Sequence, residues 1–257
     1  MKKNRKITGV QEWSDCSISI QYGCSNNCSY CWAKKIHNRF NRISKEEWDK
    51  PKIKTENELK HLARNKKVMC FGTHDIDENN LNQCIEMIKR LLERKNHILI
   101  VSKPRLSCIQ ALISNFIQYK ERIEFRFTIG SCNDDTLKFW EKNTTNFTER
   151  MECVKWTISN GFKTSISCEP LLDIVGKKDQ FGIIRDCFSL INMLLKLKVC
   201  CIGRNTPDGE ISEIWIGSMN YMKDSPVLDY EKILDYYVGN TKIRFKESFM
   251  KHLKNQN

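Results

Sequence analysis

The sequence lacks any apolar run near the roughly 18 residues that a membrane-spanning helix needs. It also lacks low-complexity stretches and long linkers across its 257 residues. The basic start, Met1 to Lys6, is not followed by the apolar segment of a signal peptide. The length suits one domain with small additions. We therefore expect a cytoplasmic protein without a membrane partner.

Acidic residues are few relative to basic ones. The chain has 31 Asp and Glu residues against 43 Lys and Arg residues, which gives a net charge of +12. Such an excess strengthens binding to polyanions, because Lys and Arg release counterions from phosphates. A lysine-rich, AT-rich genome produces the same excess, and the abundant Asn fits that alternative. The charge therefore indicates a nucleic acid or nucleotide partner without proving one.

Apolar runs predict six strands that alternate with helices. The strands are expected over Ser17 to Tyr22, Lys67 to Gly72, His97 to Val101, Ile123 to Ile129, Phe162 to Ser167 and Glu213 to Gly217. Helical spacing predicts helices over 78–94, 106–117, 135–160 and 182–197. Such repeats imply parallel pairing with right-handed crossovers. The expected fold is α/β, a partial (βα)6 TIM-type barrel.

The barrel is expected to span residues 16–240. Residues 1–15 would then be an N-terminal extension and residues 241–257 a basic C-terminal tail. This tail is either a helix that touches phosphate or a frayed, solvated segment.

Thirteen cysteines, an odd and scattered set, suit a reducing cytosol better than a disulfide scaffold. Cys24, Cys28 and Cys31 follow the first strand at C-x3-C-x2-C spacing, so their thiolates can bind one inorganic centre. Zinc loops usually add a second cysteine pair, which is missing here, although Cys16 or His37 could complete a tetrahedron. A [4Fe–4S] cluster on three cysteines has one iron without a protein ligand.

The loop CSNNCSYCWA resembles the signature of the radical S-adenosylmethionine (radical SAM) superfamily, with Tyr30 at its aromatic position. The resemblance implies a [4Fe–4S] cluster on the three cysteines, whose open iron is chelated by the amino and carboxylate groups of SAM. One electron then breaks the carbon–sulfur bond to the ribose, and the 5′-deoxyadenosyl radical abstracts hydrogen from a substrate. An external electron donor such as flavodoxin or ferredoxin is implied as well.

Shorter motifs resemble the spore photoproduct lyase-like group, particularly a phage-associated branch with a three-cysteine motif. They are FGTHDID, VSKPRL, TIGS and SCEPLLD. This resemblance implies a nucleic acid or nucleotide substrate for base modification or repair, and it is compatible with a separately encoded partner protein. Two alternatives stay open: a radical SAM enzyme acting on a peptide or small metabolite, and a non-catalytic cluster- or zinc-bearing nucleic-acid-binding protein.

The chemistry of such barrels lies at the carboxyl ends of the strands. By resemblance, Gly72, Thr73 and Asp75 lie where the superfamily's second-strand motif holds the SAM amino group, with Asp75 replacing the more usual Glu. Lys103 is expected to pair with the SAM carboxylate or a substrate phosphate, or else to be an exposed turn lysine.

Ser131 and Glu169 also follow strands and are expected to face the SAM ribose or the substrate. Their alternatives are a helix-capping serine and a surface carboxylate. His74 is a candidate acid or base because its free pKa lies near neutrality, or it is a loop histidine without a role. Cys132 and Cys168 are candidate hydrogen donors, since spore photoproduct lyases return hydrogen from a cysteine thiol; buried packing residues are the alternative.

A basic stretch follows the cysteine loop. It contains Lys34, Lys35, Arg39, Arg42 and Lys45, interrupted by Ile36, Phe40 and Ile43. It is either a helix and loop that expose charge near the cluster or an ordinary solvated helix face. Some aromatic residues could stack on a base, although a core role is the default; they are Trp13, Tyr22, Trp32, Phe71 and Tyr221.

Overall fold

The computed structural model describes residues 9–174, 176–201, 208–219 and 228–254. In chain order its strands are β1 (Cys16–Ile18), β2 (Gln21–Tyr22), β3 (Lys52–Ile53), β4 (Lys67–Cys70), β5 (His97–Ser102), β6 (Ile123–Thr128), β7 (Lys163–Cys168), β8 (Ile214–Ile216) and β9 (Ile243–Phe245). Its α-helices are α1 (Trp32–Arg39), α2 (Glu56–Leu59), α3 (Leu81–Glu93), α4 (Leu106–Phe116), α5 (Asp134–Trp140), α6 (Phe147–Ser159), α7 (Cys187–Lys196), α8 (Tyr230–Tyr237) and α9 (Glu247–Lys254). Tyr221, one of the candidate stacking residues, lies outside the described ranges.

A sheet of seven strands organises the chain. The strand order is β1-β4-β5-β6-β7-β8-β9, and every neighbouring pair is parallel. β2 and β3 form a separate antiparallel ribbon. Helices α3, α4 and α6 connect successive strands and bury their apolar faces against the sheet. The expected α/β class with a partial TIM-type barrel is confirmed.

The first predicted strand divides in two. β1 ends at Ile18, and Gln21–Tyr22 pair with Lys52–Ile53 in the small ribbon instead of continuing the barrel sheet. Between them the Ile20 backbone N–H donates to His74 Nε2 at 3.2 Å, so a side chain replaces the sheet partner. The chain thereby bends before it reaches the cysteine loop.

Two predicted helices have different bounds from those expected. The helix expected over 135–160 is two helices, because α5 ends at Trp140 and Asn146 caps a new helix by accepting the Glu149 N–H. The helix expected from 182 begins at Cys187, where Asp186 accepts the Ser189 N–H. Side-chain caps rather than apolar periodicity set both starts.

The described part of the C-terminal segment is not a solvated tail. Residues 243–245 form β9, a seventh parallel strand that pairs with β8, and residues 247–254 form α9. Phe249 of α9 is completely buried against Tyr230 and Phe245. The basic residues of this segment therefore surround a short apolar core that belongs to the barrel sheet.

The barrel interior also contains buried charge. The Arg126 guanidinium lies 5.0 Å from the Trp13 ring and 4.9 Å from the Trp215 ring, and it donates to Glu124 at 2.8 Å. Lys246 Nζ lies 3.9 Å from the centroid of the Trp13 ring. The N-terminal segment therefore packs between cations of β6 and the C-terminal segment. None of the helices within the described ranges has the length and apolar character needed to cross a bilayer.

Phe249→Ala should lower the free energy of unfolding by about 3–5 kcal/mol, because it removes a fully buried aromatic side chain. Phe181→Ala, at a side chain that is 78% exposed, should change it by less than about 0.5 kcal/mol. Urea denaturation followed by circular dichroism measures both. Equal stability of the Phe249 variant and the wild type would show that α9 does not contribute to the folded core.

Candidate functional site

A cavity of about 250 Å³ lies where the loops after the strands meet. It brings together most of the residues singled out in the sequence. They are Cys24, Cys28, Tyr30, Cys31, Gly72, Thr73, Asp75, Lys103 and Glu169. Because these residues follow β1, β4, β5 and β7, the cavity occupies the carboxyl-end position expected for a barrel of this kind.

The cysteine loop is held in shape by its backbone. Gly23 has φ +85°, and a Cβ there would lie 2.6 Å from the Trp48 carbonyl oxygen, so only glycine fits. The next residue, Cys24, donates its N–H to that same oxygen at 2.8 Å. Cys24 and Cys28 carbonyls accept the N–H groups three residues later, at 3.2 and 3.1 Å. Successive tight turns thus keep the three thiols on one short loop.

The three thiols are free and are held in their protonated form by burial. Burial raises the pKa of Cys24 to about 12 and that of Cys28 well above its usual range, although the Lys103 charge favours the Cys28 thiolate. Cys31 caps α1, and its sulfur accepts the Lys34 N–H at 3.4 Å. A metal centre would have to displace these protons, as metals do when they bind cysteine.

The residues of this cavity fit a [4Fe–4S] cluster. Three unpaired thiols line one space, and thiolate is the ligand that such clusters use. Within the described ranges, no three Cys, His, Asp or Glu side chains are arranged to hold a single metal ion. Each cysteine of a cluster binds a different iron, so cluster thiolates need not meet at one point. Cys16 and His37, the suggested fourth zinc ligands, do not line the cavity.

The Asp75 carboxylate connects three loops. It accepts from the Asn26 side chain of the cysteine loop at 2.9 Å and from the Lys103 backbone N–H at 2.8 Å. Lys103 Nζ lies 3.6 Å from Asp75 Oδ2. Burial opposes ionisation of Asp75, but the Lys103 charge and these hydrogen bonds outweigh it and keep its pKa below the usual range. The same surroundings raise the pKa of Lys103 despite burial, so both groups are charged.

A second buried pair supports Tyr30. The Tyr30 hydroxyl donates to Glu141, whose other oxygen accepts from the completely buried Arg150 at 2.6 Å. Burial and the neighbouring carboxylate raise the pKa of Tyr30 well above its usual range, so it stays a neutral donor. The sequence analysis missed Glu141 and Arg150. Helical spacing could have indicated Arg150, which shares the buried face of α6 with Val154 and Thr157.

His74 is held as a neutral structural residue. Its Nε2 accepts the Ile20 N–H at 3.2 Å, so Nδ1 carries the proton and donates to the Asp75 carbonyl oxygen at 3.0 Å. The ring also stacks on Phe71 with centroids 4.9 Å apart. Burial lowers its pKa to about 4. Because both ring nitrogens already take part in hydrogen bonds, these contacts favour the alternative that His74 has no acid–base role.

Glu169, the first residue after β7, lines the cavity. Its Oε2 is 2.9 Å from Lys246 Nζ, and its Oε1 accepts from the Ser248 hydroxyl at 3.2 Å. Glu169 also borders a neighbouring cavity of about 500 Å³ between the N-terminal segment and α9. Trp13 and Trp32 line both spaces. The C-terminal segment therefore positions a carboxylate that the sequence analysis assigned to the site.

Three predicted site residues do not line the cavity that contains the three cysteines. Ser131 is buried, donates to Asp173 and accepts the Asn133 N–H at 2.8 Å, as a residue that shapes the turn before α5 does. Cys132 and Cys168 are buried core residues, and burial raises the pKa of both thiols. Their placement matches the packing alternative rather than a position beside the cavity.

The pKa of His74 predicts a pH dependence of stability. Since folding lowers the pKa from about 6.5 to about 4, the unfolded chain binds the proton more readily, and stability falls as the pH drops through this window. Compared with a His74→Gln variant, the wild type should lose about 3 kcal/mol of unfolding free energy between about pH 7 and pH 4. Urea titrations of both proteins measure this difference. Parallel pH profiles would mean that His74 titrates alike in both states.

Several solved structures share this fold. A spore photoproduct lyase complexed with dinucleoside spore photoproduct has a TM-score of 0.53 and 14% identity, covering 89% of this chain and 62% of that chain. A mutant with bound AdoMet and dinucleoside spore photoproduct has a TM-score of 0.52 and 14% identity, with coverages of 89% and 62%. Another mutant has a TM-score of 0.52 and 14% identity, covering 99% of this chain and 75% of that chain.

The chain thus spans about 62% of the length of the first of these structures, and identities this low show the fold alone. No curated protein matched the chain by sequence. The Radical SAM superfamily model matches residues 18–173, which is more than half of the chain and contains the cysteine loop, Asp75 and Lys103. The chain therefore belongs to the radical SAM superfamily, whose enzymes use a [4Fe–4S] cluster and SAM.

Proposed function

We propose that the chain cleaves SAM reductively and acts on a nucleic acid or nucleotide, for base modification or repair. The observation that carries the proposal is the shared cavity of Cys24, Cys28, Cys31 and the Asp75–Lys103 pair. When bound, the cluster and SAM supply a one-electron cleavage that yields the 5′-deoxyadenosyl radical. The three thiolates would hold the cluster and leave one iron open for SAM.

Lys103 is the proposed partner of the SAM carboxylate. Its charge acts on the Cys28 and Cys31 thiols, its side chain is only 12% exposed, and Asp75 fixes it from one side. Lys103 Nζ also lies 5.6 Å from the centroid of the Tyr30 ring, so an aromatic ring restricts its movement on a second side. A cation with so little freedom loses little entropy when it binds an anion.

The proposed amino-group and ribose sites lie on either side of Lys103. Gly72 and Thr73 line the cavity, and Thr73 Oγ1 is buried without a hydrogen-bond partner within the described ranges. The same holds for Ser167 Oγ, which also lines the cavity. Buried hydroxyls without partners are costly, so a polar ligand would satisfy them. Glu169, oriented by Lys246, is the proposed acceptor for a ribose or substrate hydroxyl.

The substrate class rests on charge and on fold. The chain carries a net charge of +12, and the similar spore photoproduct lyase structures contain a dinucleoside. We place the chain in the spore photoproduct lyase-like group, in its phage-associated three-cysteine branch, on the motifs quoted above. An external electron donor such as flavodoxin or ferredoxin, a cytoplasmic location and a separately encoded partner protein belong to the same proposal.

Cys28→Ala should abolish SAM cleavage, because a cluster on two cysteines is not held in place. After anaerobic iron–sulfur reconstitution and reduction, 5′-deoxyadenosine is measured with and without DNA or RNA, together with iron content. Cys200→Ala, at an exposed cysteine outside the cavity, should behave as the wild type does. Stimulation by DNA or RNA would support the substrate class. A reconstituted wild type that binds a cluster but never cleaves SAM would overturn the enzymatic proposal.

Lys103→Met should weaken SAM binding by about tenfold or more, since a charge-assisted hydrogen bond to the carboxylate contributes about 1.5–3 kcal/mol. Decarboxylated SAM provides the control, because it lacks the group that Lys103 is proposed to bind. The variant should therefore reduce the preference for SAM over the decarboxylated analogue, as measured by equilibrium dialysis with the reconstituted protein. Equal losses for both ligands would assign Lys103 a structural role only.

A further inference from the structure

Helix α1 begins at the third cysteine of the loop and exposes an unusual face. Trp32, Lys35 and Arg39 recur at i, i+3 and i+7, so they lie on one side of the helix, and Phe40 follows at its end. Trp32 is 44% exposed and Phe40 is 60% exposed. The opposite side, with Ala33 and His37, is buried against the Trp48 cluster. Two large aromatic side chains thus flank two cations on the solvent side.

The segment that contains this face is basic in sequence. No acidic residue occurs between Ala33 and Lys45, whereas five Lys and Arg residues do. The guanidinium carbons of Arg39 and Arg42 lie 5.9 and 5.7 Å from the centroid of the Phe40 ring. No carboxylate pairs with either arginine in the part of the chain that the structure describes. Elsewhere surface lysines do pair with carboxylates, as Lys52 does with Glu47.

One end of this face lies at the cavity that contains the three cysteines. Trp32 lines both this cavity and the neighbouring 500 Å³ cavity. Eight residues later, Phe40 lies about 12 Å further along the helix axis, at about 1.5 Å per residue. A solvated helix face accounts for the cations, but it does not account for two exposed aromatic rings that lead away from the cavity.

We propose that Trp32, Lys35, Arg39, Phe40 and Arg42, here called the α1 surface, bind a single-stranded segment of nucleic acid. The arginines would contact phosphates, and Phe40 would stack on a base. Trp32 would guide the strand to the cavity. An exposed ring favours a single strand, because the faces of bases in a duplex are already stacked. This inference rests on the proposed function and deepens it by naming the substrate as a polynucleotide strand.

The test is fluorescence anisotropy of the reconstituted protein with fluorescein-labelled oligo(dT)20 and with a labelled 20-base-pair duplex, each over a range of salt concentrations. The variants are Arg39→Glu/Arg42→Glu and Phe40→Ala. The matched control is Lys89→Glu/Lys155→Glu, which changes the charge by the same amount at exposed positions on α3 and α6. Circular dichroism and cluster absorbance verify that each variant is folded and reconstituted.

We expect the arginine variant to bind oligo(dT)20 at least tenfold more weakly. Its slope of log Kd against log salt should fall by roughly 1.4, because each phosphate contact on a single strand contributes about 0.7. Phe40→Ala should weaken binding by about tenfold for the single strand and much less for the duplex. The control should remain within about twofold of the wild type.

Three results would overturn the inference: unchanged affinity of the arginine variant, an equal loss in the control, or no effect of Phe40→Ala on the single strand. The first two would mean that the bound strand contacts another part of the chain or binds by net charge alone. The third, with tight duplex binding, would indicate a phosphate-binding surface for duplexes. SAM cleavage without nucleic acid tests the proposed function separately, so either proposal can fail alone.

Discussion

The carboxylate of Asp75 is the contact on which the geometry of the site depends. It joins the cysteine loop, through Asn26, to the loop after β4 and to the end of β5 at Lys103. The cysteine loop has further contacts to the barrel, because the Ser25 hydroxyl donates to Asp77 and the Tyr30 hydroxyl donates to Glu141. Asp75 adds a hydrogen-bonded connection from this loop to the Lys103 backbone. A buried carboxylate remains charged only where partners compensate for lost hydration. The Asp75–Lys103 pair therefore fixes both the shape and the charge of the cavity.

The carboxylates in and beside the cavity follow one pattern: Asp75 and Glu169 line it, and Glu141 contacts the lining residue Tyr30. Asp75 is paired with Lys103, Glu141 with Arg150, and Glu169 with Lys246. The partners in each pair come from different elements, so each pair connects two parts of the barrel. Pairing also prevents three acidic groups from repelling the thiolates and a ligand carboxylate. The site thus combines stiffness with little net negative charge.

Local sequence signals predicted the features that depend on local sequence. Apolar runs predicted the strands β4 to β8, and the cysteine spacing predicted the loop that lines the cavity. Pairing between distant residues left no such signal. The strand β9 is only three residues long, two apolar and one basic, and it is defined by its pairing with β8. Lys246 can be buried because it contacts Glu169 and the Trp13 ring. The position of Ser131 after a strand likewise does not reveal that its hydroxyl donates to Asp173.

The two outer segments of the described chain touch each other beside the site. The Glu247 N–H donates to Glu12 at 3.2 Å, and Lys246 Nζ donates to the Gly9 carbonyl oxygen at 3.4 Å. The paired residues are separated by 235 and 237 positions in the sequence. Because the ribosome releases the N-terminus first, these contacts form late during synthesis. During synthesis the cysteine loop therefore leaves the ribosome well before Lys246, which orients Glu169. Until then the part of the wall that carries Glu169 lacks the Lys246 and Ser248 contacts that hold it in the finished structure.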